Sequence, residues 1–135
     1  MISSPSFAID AKVGNINPNP AVPCLEALGA VSRNGRRLTL VVQNRSLDSF
    51  PNATITANIQ LNNLGFAPKS ATVTKLTSPH LGDHNEDGEV VKPSVPVTYA
   101  PVPQSFKFEP HSLTIIEFRP SSLEAVINLL LGIDD

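Results

Sequence analysis

Asp83, Asn85, Asp87 and Gly88 stand at the spacing that opens a calcium-binding loop. In such a loop, oxygen ligands at alternate positions surround the ion and a glycine makes the sharp turn. The twelfth position, where a glutamate should close the cage with both oxygens, is Ser94, and Pro93 precedes it. Half the ligand pattern is missing, so a solvated acidic turn is the better reading. His80 and His84, with Asp83 and Glu86 close by, are residue types that hold zinc. A catalytic zinc needs three well-placed protein ligands, and no helical pattern aligns these two histidines. His111 lies in a turn with no paired nucleophile and reads as a local hydrogen-bonding residue rather than a general base. No metal and no cofactor are expected.

Cys24 is the only cysteine, which excludes an internal disulfide and a cysteine-rich zinc site. Its apolar neighbours mark it as a core thiol, whereas a catalytic cysteine needs surroundings that lower its pKa. Asn44-Arg45-Ser46 and Asn52-Ala53-Thr54 fit the N-glycosylation pattern, a short pattern that often arises by chance. No Gly-rich phosphate loop or basic patch is present, and the net charge is −2. Neither nucleic acid nor an anionic membrane surface is an expected partner.

The chain has 135 residues, enough for one domain with a hydrophobic core. No apolar run approaches the roughly 20 residues that span a bilayer. The first residues show neither a basic leader nor an apolar stretch, so no signal peptide is visible. That, with the single cysteine, points to the cytoplasm. Charged residues make up 16%, below the usual ~25%. Prolines number 13, clustered in residues 18–23 and 93–103. Proline is confined to loops, strand starts and edges in sheet proteins, so the clusters mark long connections.

The elements that must carry these residues are strands. Residues 24–32 and 36–44 flank Asn34-Gly35, a pair that predicts a hairpin with both turn residues at φ > 0. Ala53 to Leu61 alternates strictly: Ile55, Ala57, Ile59 and Leu61 share one face, polar residues the other. Period two marks a half-buried antiparallel strand. Residues 70–76, 97–99, 105–108 and 113–118 repeat the pattern, while 5–23 is an extended leading segment and 78–96 a polar loop. Most of the six phenylalanines fall in these strand patterns and read as core. Strands with turns every 8–12 residues predict an all-β fold, an antiparallel β-sandwich of jelly-roll type. Ser121 and Glu124 have capping-box spacing, and Leu123, Val126, Ile127, Leu130 and Leu131 recur at helical intervals. They predict a short C-terminal α-helix. The expected organisation is a β-sandwich domain over 1–119 and a helix over 120–135, packed on the sandwich or on a partner.

Several pieces occur in a characteristic order. Ser4-Pro5-Ser6-Phe7 is followed by Val22-Pro23-Cys24-Leu25-Glu26-Ala27, then by Gly35-Arg36-Arg37-Leu38-Thr39-Leu40-Val41-Val42-Gln43-Asn44-Arg45-Ser46. Leu76-Thr77-Ser78, His84-Asn85, Val91-Lys92-Pro93 and Glu109-Pro110-His111-Ser112-Leu113-Thr114-Ile115 complete the set. Together they resemble the C-terminal β-sandwich of α-L-arabinofuranosidases of glycoside hydrolase family 51, over about residues 4–119. In that family, two glutamates on a separate (β/α)₈ barrel perform retaining hydrolysis of arabinofuranosyl linkages. The barrel needs about 250 residues and is absent here, so neither glutamate carries over. Glu26, Glu86, Glu89, Glu109, Glu117, Glu124 and the six aspartates read as structural or solvated.

The resemblance implies a non-catalytic accessory domain that supports the stability or assembly of its enzyme. It also implies that residues from before the barrel normally complete the sandwich. Without them a sheet edge stays open, which the terminal helix or a second copy of the chain would cover. The expected partner is a (β/α)₈ barrel or a second copy. The alternative is a free-standing carbohydrate-binding or protein-interaction module, with a plant polysaccharide as ligand. Tryptophan is absent and Tyr99 is the only tyrosine, which speaks against sugar stacking.

Overall fold

The structure is a computed structural model that describes residues 6–13, 25–45, 54–77 and 92–120. These residues form β1 (Ser6–Ile9), β2 (Leu25–Ser32), β3 (Leu38–Asn44), β4 (Ile55–Asn58) and β5 (Ser70–Thr77). They continue with β6 (Lys92–Pro93), β7 (Val97–Tyr99), β8 (Ser105–Phe108) and β9 (Ser112–Arg119). Seven strands make one sheet in the order β1-β2-β3-β9-β5-β6, with β7 also on β5, and β4 and β8 make a second sheet of two strands. All pairings among the described residues are antiparallel. The result is the expected β-sandwich, with one wide layer and one narrow layer.

Period two builds the core. Leu38, Leu40 and Val42 share one face of β3, and the register sets Leu38 against Phe118 and Leu40 against Ile116. Ala71 and Val73 of β5 extend the same two rows. Residues directly opposite in an antiparallel pair share a face, so each row is a continuous apolar band. Phe106 and Phe108 of β8 close onto it from the narrow layer. The Phe106 and Phe118 rings meet edge to face, with centroids 6.1 Å apart at 81°, a favoured aromatic geometry.

Asn34-Gly35 forms the hairpin but not the expected turn. Gly35 takes φ 75°, while Asn34 is not among the positive-φ residues. The Gly35 N–H donates to the Ser32 carbonyl at 2.9 Å, and the Ser32 N–H donates to the Arg37 carbonyl at 2.8 Å. Asn34 instead uses its side chain: Oδ1 accepts from the Arg36 N–H at 2.9 Å and from the Ser32 hydroxyl at 2.7 Å. This local capture by an asparagine side chain replaces the mirror-image backbone turn.

Other boundaries shift for similar local reasons. The ladder of the strand expected over 53–61 covers only Ile55–Asn58, because β8 offers four residues to pair with it. Ile59 and Leu61 still pack on the core. The leading segment contributes β1, and Lys92–Pro93, read as part of a polar loop, pairs with β5. Phe106, Phe108 and Phe118 are buried, but Phe7 is 63% exposed, against the expectation that the phenylalanines are mostly core. It stands opposite Val31 at the rim of the wide sheet. No helix occurs among the described residues. The expected helix from Ser121, Cys24, His80, His84 and the Asp83–Gly88 loop lie outside them.

Candidate functional site

Four carboxylates fall among the described residues, and each meets a cation. Glu109 accepts from Lys75 Nζ at 2.8 and 2.9 Å, which ties β5 to the turn before β9. Glu26 pairs with Arg45 at 3.0 Å, Glu117 with Arg119 at 3.4 Å and Asp10 with Lys12 at 3.5 Å. Their geometry is that of structural and surface ion pairs, each group answered by an opposite charge. Glu86, Glu89, Glu124 and the other aspartates lie outside the described residues. No group of three metal-ligating side chains occurs among the described residues. His111 occupies the turn before β9 with φ 55°, a left-handed conformation in which histidine is enriched.

A concave feature lies elsewhere, beside β2, where outward residues of the wide sheet meet residues that pack on the core. Leu28 stands opposite Val41, which stands opposite Ile115. In the next row Glu26 stands opposite Gln43, which stands opposite Leu113. A groove of about 540 Å³ is lined by Glu26, Leu28, Val41, Gln43 and Leu113 of these rows and by Val13, Leu25 and Ala27, which belong to the core or pack on it. Leu28 is 63% exposed there. The Glu26–Arg45 ion pair sits at one side, so an apolar floor meets a charged rim. That is the anatomy of a protein contact surface. Among the described residues no aromatic ring lines the groove, so these residues offer no platform for stacking a sugar.

Sequence reasoning missed this face. The signal was present as consecutive apolar residues, Val41-Val42 in β3 and Ile115-Ile116 in β9. A strand that is apolar on both faces belongs to a sheet meant to be covered on both sides. Leu28 adds an outward leucine between the inward Ala27 and Gly29 positions.

Two further expectations are placed by the structure. Tyr99 is 44% exposed on β7 beside Val97, away from the groove lining. Asn44 is buried, and its Nδ2 donates to the Phe108 carbonyl at 2.9 Å. The nitrogen that a glycan would need is spent inside the core, so the Asn44-Arg45-Ser46 pattern has no use in the folded chain.

No protein-family profile matches the chain, and no curated protein matches it. Solved structures do. An α-L-arabinofuranosidase of glycoside hydrolase family 51 from Thermotoga petrophila RKU-1 is 29% identical, with a TM-score of 0.54, over 71% of this chain and 19% of its own. The Thermotoga maritima α-L-arabinofuranosidase, solved with arabinose, is 25% identical with a TM-score of 0.54, over 75% of this chain and 20% of its own. A family 44 xyloglucanase from Paenibacillus polymyxa, 17% identical with a TM-score of 0.50 over 73% of this chain and 17% of its own, shares the fold. The chain thus spans about a fifth of the length of the arabinofuranosidases it matches. Its similarity to family 51 arabinofuranosidases is that of one β-sandwich region within a larger enzyme.

Proposed function

We propose that the chain is a non-catalytic accessory β-sandwich of a glycoside hydrolase, which docks on a (β/α)₈ catalytic barrel and supports its stability or assembly. The parent activity proposed is hydrolysis of arabinofuranosyl linkages in plant polysaccharides, as in the arabinofuranosidases at 25% and 29% identity. The observation that carries the reading is the outer groove. It sets the exposed Leu28 beside the half-buried Val41 and Leu113, on a sheet whose other face already holds a core. A leucine left exposed at the mouth of a partly apolar groove supports a contact with another domain. The described carboxylates, each answered by a cation, support a structural rather than a chemical role.

A second reading is a carbohydrate-binding module, and the exposure of Tyr99 beside Val97 favours it. Affinity electrophoresis through gels containing arabinan, arabinoxylan, xylan or β-glucan separates the two. The accessory reading expects unretarded migration in all four. Retardation by one polymer that disappears in Tyr99→Ala would establish the second reading and name its ligand.

A further inference from the structure

We propose that Asn34 is a latent site of spontaneous deamidation, which the native β2–β3 turn holds shut and local opening of the hairpin releases. Asn34-Gly35 is the only Asn-Gly pair in the chain. Glycine carries no side chain to obstruct its own backbone nitrogen. That nitrogen, once it has lost its proton to solvent, can attack Cγ of the preceding asparagine. The new N–C bond closes a five-membered imide, the Cγ–Nδ2 bond breaks, and Nδ2 leaves as ammonia. Water then opens the ring at either carbonyl, giving aspartate or isoaspartate. The balance is one water consumed and one ammonia released, with no oxidant, metal or cofactor.

The turn places both reacting groups elsewhere. The Gly35 N–H is committed to the Ser32 carbonyl at 2.9 Å, so the nucleophile keeps its proton. Asn34 Oδ1 is held by the Ser32 hydroxyl at 2.7 Å and the Arg36 N–H at 2.9 Å. Ser32 Oγ is itself fixed by the Arg37 N–H at 3.0 Å, and Ser32 is buried. To bring Cγ onto the Gly35 nitrogen, the side chain must leave both donors. Those donors polarise the amide carbonyl and would favour addition. The bond of the Gly35 N–H to Ser32 and the hold of the Ser32 hydroxyl on Asn34 together keep the site closed, which outweighs that polarisation.

The two products differ in consequence. An aspartate can accept from the same Ser32 hydroxyl and Arg36 N–H, now as charge-assisted bonds, so the hairpin persists. An isoaspartate inserts an extra carbon into a backbone whose register is fixed from Val31–Leu38 to Leu25–Asn44, and the turn cannot re-form.

The test is peptide mapping by mass spectrometry on the full chain, held at mildly alkaline pH with and without denaturing urea. The readout is conversion of residue 34 from amide to acid and the isoaspartate share. The proposal expects the native chain to react about tenfold or more slowly than the chain in urea, the factor that two ordinary hydrogen bonds supply. It expects native Ser32→Ala to react about fivefold faster than wild type, for the loss of one such bond. It also expects Asn34→Asp to keep the wild-type melting temperature. Equal rates with and without urea would overturn it, as would a folded Ser32→Ala with the wild-type rate. If Ser32→Ala does not fold, the comparison with urea alone decides.

Discussion

Asn44 on β3 and Phe108 on β8 are 64 residues apart in sequence, yet the Asn44 side chain donates to the Phe108 carbonyl at 2.9 Å within the core. The bond joins the wide sheet to the narrow one where the two layers meet. Among the described residues the narrow layer has two strands, and the Asn44 bond adds a polar clamp to its apolar packing. Buried polar groups that are fully paired specify one arrangement, and unpaired ones are costly.

Asn44→Ala should lower stability by about 1–3 kcal/mol, because a buried hydrogen bond between the two sheets is lost. Asn44→Asp should lose more at neutral pH than at mildly acid pH. A carboxylate facing a carbonyl is repelled, which raises its folded pKa above the unfolded value, whereas the protonated acid can donate again. Its stability is therefore greatest at low pH and falls as the group ionises. Urea unfolding at two pH values checks both variants. Equal losses at both would show that the bond is not the clamp described.

Gly29 and Ile9 test how β1 is held. A Cβ at position 29 would lie 2.6 Å from Ile9 Cγ1 and 2.7 Å from Cδ1. Gly29→Ala should therefore cost about 1–3 kcal/mol as Ile9 is pushed out of its seat. Adding Ile9→Ala to Gly29→Ala should cost less than the two single changes summed, since the clash is then gone. Additive losses in a double-mutant cycle would mean that Ile9 does not occupy this notch.

Ile116 is fully buried between Leu40 and Val73 in the register. Ile116→Ala should cost about 2–5 kcal/mol through lost burial and the cavity left behind. Leu28→Asp, at a groove position 63% exposed, should change stability by no more than about 0.5 kcal/mol, as is usual for surface substitutions. Thermal melts of the two variants against wild type check this contrast. Similar losses for both would place Leu28 in the core and remove the groove.

The strands were legible because their signal is local. Ile55 and Ala57, Leu38 and Leu40, and Leu113 to Phe118 carry a period of two that needs no knowledge of partners. The β4–β8 pairing and the Asn44–Phe108 bond were not legible, because nothing near Asn44 marks residue 108 as its neighbour. Phe7 misled for the same reason: its alternation with Ile9 is that of an inward residue, but among the described residues the two strands of the narrow layer leave it 63% exposed. The turn at Asn34-Gly35 was found and its geometry was not, since the side-chain bonds of Asn34 compete with the backbone preference. Part of the groove was written in the paired Val41-Val42 step, whose first residue lines it, and which strict alternation hides when only one face is sought.

The central claim is that the outer groove docks this sandwich on a catalytic barrel. Size-exclusion chromatography with light scattering, on an equimolar mixture of the full chain and an isolated family 51 barrel, tests it most directly. The account predicts a one-to-one complex with wild type, no complex with the folded Leu28→Asp, and a complex again with Tyr99→Phe. Failure of wild type to bind, or undiminished binding by Leu28→Asp, would contradict it.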